Sequence, residues 1–231
     1  MHDPNIQHIP RDFSIGDNKF SLRSSFIARE GNIILSADFC QLELRVLAHF
    51  SQDPVLLSLF TSDLDVFVKI ASHWNKIGAN EVTDEIRHQT KQLCYGIIYG
   101  MGDVALGEAL GISSIEAAEL STKFHHTYSG IQEFVQSCIN ECRSKGYITT
   151  LKGRVRYLPE INSKIATLRN QAERQAVNST IQGSAADIAK SAMVEIEKYL
   201  RIQFPDRPLV LSSGMSAHLV LQLHDELIYE V

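Results

Sequence analysis

What most constrains this fold is the position of its β-type runs, which lie near opposite ends of the chain with helical spacing between them. Residues 33–39, Ile-Ile-Leu-Ser-Ala-Asp-Phe, are a short apolar run entering an acid. Such a run predicts a buried strand that delivers Asp38 at its end. Near the other end Leu219, Leu221 and Leu223 alternate with Val220, Gln222 and His224, and a second run over 227–231 follows a tight His224-Asp225-Glu226 junction. The alternation predicts a hairpin with Asp225 at its turn.

Between these runs the spacing is helical. One helix is expected from Glu43 to Phe50. A second is expected over 83–99, where apolar and basic positions separate at helical spacing until Gly100 and Gly102 stop the run. Ser113 with Glu116 makes a capping box that opens a helix toward Tyr128; Gly130 punctuates, and a further helix runs to Lys145 with Gly146 at its C-terminal side. A long helical stretch over about 165–200 is expected to break near Gly183, with Ser184 capping the continuation. The stretch 205–216, rich in Pro, Ser and Gly, reads as a loop, and no internal repeat or low-complexity tract is present.

The 231 residues, 44 % hydrophobic, suffice for one large domain or two intimately joined lobes. No apolar run approaches the roughly 20 residues that cross a bilayer, and Met1-His2-Asp3-Pro4 has neither a basic nor an apolar signal region, so an intracellular protein with no membrane partner is expected. Cys40, Cys94, Cys138 and Cys142 lack the spacing of a zinc knuckle or a dense disulfide framework and read as reduced thiols. The net charge of −5 opposes a partner as anionic as DNA unless Lys and Arg cluster locally.

Two strands that each end in an aspartate can bring Asp38 and Asp225 side by side, where their repulsion calls for divalent cations between them. Two magnesium ions about 4 Å apart would serve phosphoryl or nucleotidyl transfer. A single Asp at a strand end is more often a turn or cap residue, so the context has to decide. On the 83–99 helix Arg87, Lys91 and Tyr95 are spaced by four, and each is rotated by only about 40° from the last. Ile86, Leu93 and Ile97 face the other way for packing. Two cations followed by an aromatic can cradle a triphosphate and offer a ring to its base or sugar, although a solvated helix face has the same pattern.

Taken together, these segments resemble the ordered motifs of the family A (polymerase I-like) DNA polymerases, over essentially the whole chain. Residues 3–10 resemble a D-P-N-x-Q-N-I-P element, and Ala37 through Arg45 is similar to motif A, D-Y-S-Q-I-E-L-R. Arg87, Lys91, Tyr95, Gly96, Tyr99 and Gly100 match motif B, the fingers helix that meets the incoming nucleotide. Gln182-Gly183-Ser184-Ala185-Ala186-Asp187 matches a Q-G-S/T-A-A-D element, and Leu223-His224-Asp225-Glu226 matches motif C. The wording of 92–102 and of Asp65-Val66-Phe67 is nearest the theta/nu branch of this family.

The resemblance implies an α+β fold, a right-hand palm with an antiparallel sheet and mostly helical fingers. It places palm at 1–50 and 186–231 and fingers with supporting helices at 51–185. It implies that Asp38, Asp225 and the backbone carbonyl of Phe39 hold two Mg2+ ions, for which Mn2+ can substitute, with Glu226 beside them as a catalytic acid. Arg87 and Lys91 would grip the triphosphate, Tyr95 pack against sugar and base, and Tyr99 guard the template position. Glu43 would act as steric gate and Gln41 would line the nucleotide site. Arg174, Asn178, Gln182, His224 and Arg154 would contact primer-template DNA, with Lys152, Arg156, Lys164 and Arg169 on the same duplex-facing surface. The partners implied are primer-template DNA and deoxynucleoside triphosphates, in DNA repair, with a nuclear location for a theta/nu-like member.

The chain departs from the commonest family pattern at several positions. His8 stands where Asn is usual, Phe39-Cys40 replaces Tyr-Ser, Phe67 occupies a place where bacterial members carry His, and Val155 interrupts a G-R-R-R run. The sequence reads as a palm ending just after motif C with no thumb, so a catalytically incomplete DNA-binding fragment is a competing expectation. A two-metal nuclease is another, but it gives no task to Arg87, Lys91 and Tyr95.

Overall fold

The computed structural model describes residues 13–16, 18–61, 64–205, 217–223 and 225–231. The element at 3–10, most of the 205–216 loop and His224 lie outside the described residues. In chain order the elements begin with strands β1 (Phe13–Ile15), β2 (Asn18–Phe20) and β3 (Ile34–Asp38), then helices α1 (Leu42–Ser51), α2 (Pro54–Leu59) and α3 (Val66–Asn75). Helices α4 (Asp84–Ile98), α5 (Asp103–Leu110), α6 (Ser114–Thr127) and α7 (Ser129–Lys145) follow. Strands β4 (Tyr147–Thr149) and β5 (Val155–Tyr157), helix α8 (Ala166–Gln203) and strands β6 (His218–Leu223) and β7 (Glu226–Glu230) complete the chain. Two compact units result, Met1–Cys40 with Ile188–Val231, and Gln41–Asp187.

In the first unit β3, β7 and β6 form an antiparallel sheet with β7 in the middle. Side chains alternate across a strand, so cross-strand partners share a face. Leu227 and Tyr229 of β7 point to one face and pack with Leu200, Ala217 and Leu219 and with Ala192, Met193, Ile196 and Phe204 from the end of α8 and just beyond. Removing side chains of this size from water stabilises by roughly 1.5–3 kcal/mol each. The other face carries Asp38 and Glu226.

Two strand expectations need correction. Strict alternation would put Leu219, Leu221 and Leu223 on one face, but the register shifts between Leu219 and Leu221. Leu219 lies opposite buried Tyr229, whereas Leu221 and Leu223 lie opposite Ile228 and Glu226. The irregularity therefore moves one leucine into the core while the others stay on the acidic face. Strand β3 is also exposed rather than buried along its whole length; among the described residues it pairs with β7 alone.

In the second unit most helices meet their neighbours in sequence, α3 packing on α4, α4 on α5 and α5 on α6, whereas α1 packs on the distant α7. Tyr128, Phe67, Phe124, Leu44, Leu47 and Ile70 are among its fully buried side chains. The caps are those the residues foretell. The Thr83 hydroxyl accepts from the Ile86 N–H at 3.3 Å and opens α4. Ser113 and Glu116 form the capping box of α6, and Gly146, at φ 78°, closes α7 in the left-handed conformation that glycine tolerates.

Gly130 does not punctuate; it lies in the first turn of α7, where a Cβ would press to 3.0 Å on the backbone of Asp53, whose carboxylate takes the Gly130 N–H. Nor does the long helix break at Gly183, since α8 runs unbroken for 38 residues. Gly183 answers to a close approach by the β4–β5 hairpin, which the sequence reading did not foresee. A Cβ at Gly183 would lie 2.5 Å from the Thr150 Cγ2. Ser184, fully buried, donates back to the Thr180 carbonyl and accepts the Leu151 N–H at 2.9 Å, so it ties the hairpin to the helix instead of capping it. Gly183→Ala is expected to cost about 1–3 kcal/mol in the parent through overpacking. In a Thr150→Ser background, which deletes only the offending methyl, it is expected to turn neutral or gain up to about 1 kcal/mol of helix propensity. Urea unfolding of the four proteins checks this reversal of sign.

Candidate active site

The acids come together through strand pairing. Asp38 lies opposite Glu226 in the β3–β7 register, and the Phe39 N–H donates to the Asp225 carbonyl at 3.4 Å. Like charges opposite each other destabilise a sheet, so the Asp38–Glu226 pair is unfavourable unless something positive lies against it. Ser36, on the same face, donates its hydroxyl to the Glu226 carboxylate. The Asp38 carboxylate takes the Cys40 N–H at 3.2 Å. Just beyond β3, Cys40 and Gln41 both adopt left-handed φ, 49° and 55°, a conformation that costs non-glycine residues about 1–3 kcal/mol each. Gln41 is the N-cap residue of α1, and its carbonyl accepts from the Arg45 N–H.

Two carboxylates and a main-chain carbonyl are hard oxygen donors of the type Mg2+ takes. Mg2+ commonly binds through one or two carboxylates and completes its shell with water and substrate phosphates. Among the described residues no three His, Cys, Asp or Glu side chains converge into a closed cage.

In the second unit α4 presents Arg87, Lys91 and Tyr95 in one row, with Leu93 and Ile97 buried on its other side. Lys91 is exposed, its Nζ 5.9 Å from the Tyr95 ring centroid. The Tyr95 ring stacks on Tyr99 at 5.7 Å and 15°, and meets Phe67 of α3 at 5.8 Å. Arg87 is bonded through two nitrogens to Asp65, the N-cap residue of α3. Burial pushes the Asp65 carboxyl up, but the Arg87 guanidinium and the Val68 and Phe67 amides outweigh it and hold the group below the usual carboxylate range.

Tyr99 follows the last residue of α4 and joins several expected site residues. Its hydroxyl donates to the Glu43 carboxylate and is also hydrogen-bonded to Gln182. Its carbonyl accepts from Asn178 Nδ2 at 3.3 Å. Burial, reinforced by Glu43, pushes the Tyr99 phenol far above its ordinary range, so it stays a donor at every working pH. Arg174, Asn178 and Gln182 recur every fourth residue and thus share one side of α8. Arg174 and Gln182 are exposed, and Asn178 Oδ1 is buried without a hydrogen-bond partner among the described residues. Gly100, at φ 66°, is kept free of a side chain because a Cβ there would lie 2.9 Å from Arg174 Cγ.

The family model for DNA polymerase family A matches residues 1–231. The chain belongs to DNA polymerase family A. It is 51 % identical to DNA polymerase theta of Drosophila melanogaster over 236 aligned residues, which cover all of this chain and 11 % of that protein. It is 43 % identical to DNA polymerase theta of Mus musculus, covering 91 % of this chain and 9 % of that one. It is 39 % identical to DNA polymerase I of Bacillus caldotenax, covering 99 % of this chain and 25 % of that one. A solved structure, the POL domain of Pol1 from M. smegmatis in complex with DNA primer-template and dNTP, superposes with a TM-score of 0.87 at 34 % identity. That match covers 99 % of this chain and 38 % of the other. The chain thus spans about a tenth of the theta relatives and a quarter of the bacterial ones.

The α+β fold expected from the family A resemblance is the observed one, mostly helical with a small antiparallel sheet. The cations expected to face a duplex are more committed than their sequence suggests. Arg154 gives its Nε to buried Asp187 and its Nη2 to the Gly183 carbonyl at 2.8 Å, with half of its side chain exposed. Arg156 donates to Ser179 at 2.5 Å and Arg169 to the Ser163 carbonyl at 3.2 Å. The sequence names Asp65 and Asp187 within motifs but assigns neither a role, and each is a long-range partner of an expected site residue. For Asp65 a signal existed, since an Asp before an apolar helical run reads as an N-cap, but its partner on α4 could not be read from it.

Proposed function

We propose that this chain is the catalytic core of a template-directed DNA polymerase acting in DNA repair. It would add deoxynucleoside monophosphates to a primer 3′ end and release pyrophosphate, with palm at 1–50 and 186–231 and fingers at 51–185. The observation that carries the reading is the β3–β7 pairing, which sets Asp38 opposite Glu226 and Phe39 against Asp225. Asp38, Asp225 and the Phe39 carbonyl are the donors for two Mg2+ ions, replaceable by Mn2+. When bound, such ions lower the pKa of an attacking hydroxyl and neutralise charge on phosphoryl oxygens.

The remaining roles follow from side-chain chemistry. Arg87 and Lys91 offer charge-assisted donors to the triphosphate. Tyr95 and Tyr99, stacked on each other, offer flat apolar area to the nucleotide and the templating base, with Gln41 alongside. Arg174, Asn178, Gln182, Arg154 and His224 contact the primer-template. Minor-groove acceptors are nearly the same in every base pair, which suits an enzyme that copies any sequence. Support for the substrate class comes from the M. smegmatis relative, whose structure holds primer-template and dNTP. The theta-like wording extends the proposal to a nuclear location. Among the described residues no helix is long and apolar enough to cross a membrane.

Primer extension by the full-length protein with Mg2+ and all four deoxynucleotides tests the reading. Elongation is expected; degradation of the primer, or binding without turnover, would end it. Glu43 is assigned as steric gate, its carboxylate held by the Tyr99 hydroxyl. Glu43→Ala should raise ribonucleotide incorporation about 10- to 200-fold, the scale on which a pocket rejects one extra small group. Ribonucleotide use as rare as in the parent would remove that role.

A further inference from the structure

The proposed chemistry employs Arg87 but gives no task to the carboxylate that holds it. Arg87 Nε and Nη2 lie 3.2 and 2.8 Å from Asp65 Oδ1 and Oδ2, a two-pronged pair. Oδ1 also accepts the Phe67 and Val68 amide hydrogens at 2.9 and 3.1 Å, so the carboxylate is pinned to the first turn of α3 and cannot follow the arginine if the arginine moves. Beneath the guanidinium lies the Phe67 ring, its centroid 5.8 Å from Arg87 Cζ, and Phe67 is fully buried. Helix α3 packs on α4, so this floor and carboxylate are fixed relative to the Arg87 backbone. A guanidinium carries five N–H donors. The pair uses one from Nε and one from Nη2, leaving both Nη1 hydrogens and the second Nη2 hydrogen, on a side chain that is 37 % exposed.

The geometry points to Asp65 as a positioning residue for nucleotide binding: it clamps one edge of Arg87 against the Phe67 ring and leaves the opposite edge preset for the triphosphate of the incoming nucleotide. The inference rests on the reading that Arg87 grips that triphosphate. Its physical basis is preorganisation, since an arginine already held in one rotamer has less freedom to lose when the phosphate arrives. The alternative is a placeholder, a carboxylate occupying the fork that the phosphate must displace. The two differ in sign, because removing a placeholder tightens nucleotide binding and removing a clamp weakens it.

Asn caps helix N-termini about as well as Asp, so Asp65→Asn retains the bonds to Phe67 and Val68 while deleting the charge that pairs with Arg87. Single-nucleotide incorporation by the full-length protein should show KM for the deoxynucleotide raised about 10-fold with kcat within about 2-fold, the pattern of lost uniform binding. In an Arg87→Ala background the same substitution should add nothing. If Arg87→Ala leaves KM unchanged, the triphosphate reading itself fails. If Arg87→Ala raises KM but Asp65→Asn leaves it unchanged or lowers it, only the positioning inference is overturned. A loss from Asp65→Asn that persists without Arg87 would mean a damaged α3 cap, and would overturn it as well.

Discussion

Asp225→Asn is expected to lower primer extension on the order of a thousandfold while leaving DNA binding and the fold in place. A thousandfold loss corresponds to about 4 kcal/mol of barrier, more than any packing change at this turn should cause. Asn is nearly isosteric with Asp and equally at home in a tight turn, so the β6–β7 junction should survive. What it lacks is the negative charge that would hold a divalent ion. Asp38→Asn should behave alike, since its amide oxygen can still accept the Cys40 N–H that Asp38 receives. Glu226→Gln should cost much less, because Glu226 is not among the proposed metal donors and a glutamine oxygen can still accept the Ser36 hydroxyl. Extension rates with saturating nucleotide and a DNA-binding titration on the same preparations make the comparison. An Asp225→Asn enzyme extending within tenfold of the parent would remove this pair of acids from the metal site.

The second large effect is on stability. Asp187 is 5 % exposed and accepts from the Thr150 hydroxyl at 2.5 Å, the Lys152 N–H at 3.1 Å and the Arg154 guanidinium. Ala at this position removes a buried carboxylate and its charged hydrogen bonds to the Thr150 hydroxyl and the Lys152 N–H, at a cost of about 2–3 kcal/mol. Arg154 is half exposed and water can take up its charge, so its share is small. For a chain of this size the loss corresponds to a fall of roughly 5–10 °C in the unfolding midpoint. The pH dependence has a definite sign. Burial pushes the Asp187 carboxyl up, but the Thr150 hydroxyl, Arg154 and the Lys152 amide outweigh it, so the folded value lies below the ordinary one. The unfolded chain then binds the proton first as pH falls. The stabilisation is fully present above about pH 5, about one unit over the ordinary aspartate value, and fades as pH drops through the folded value. The gap between parent and Asp187→Ala should therefore hold from neutral pH to about pH 5 and narrow below it; a gap that widens in acid would contradict the assigned network.

How much could be read before the structure depends on the distance over which each feature is decided. The Thr83 cap, the Ser113–Glu116 box, Gly146 as a helix stop and the Arg87-Lys91-Tyr95 row all concern atoms within a turn or two of one another. The local sequence suffices for these, and so does the motif order that marks the family. The Asp225 turn was legible for the same reason, because the His224-Asp225 junction between two β-type runs is itself local. The face taken by Leu219 was not, since one irregularity in register reverses it and nothing in the alternation announces that irregularity. Gly183 and Ser184 were misread as a helix break because their local signals are those of a break. What holds the helix through them is a hairpin whose Thr150 methyl and Leu151 amide come from a distant part of the chain.

The order of the motifs, the ends of the helices and the kinds of side chain at the candidate site belong to the sequence alone. Only tertiary structure decided that Arg87 is clamped by Asp65, that Arg154 serves Asp187, that Tyr99 gathers Glu43, Gln182 and Asn178, and that Asp38 faces Glu226 across two strands. Propensity and capping act through bonds to near neighbours in the chain. An ion pair or a strand register is chosen among many distant partners, and packing of the whole unit makes that choice.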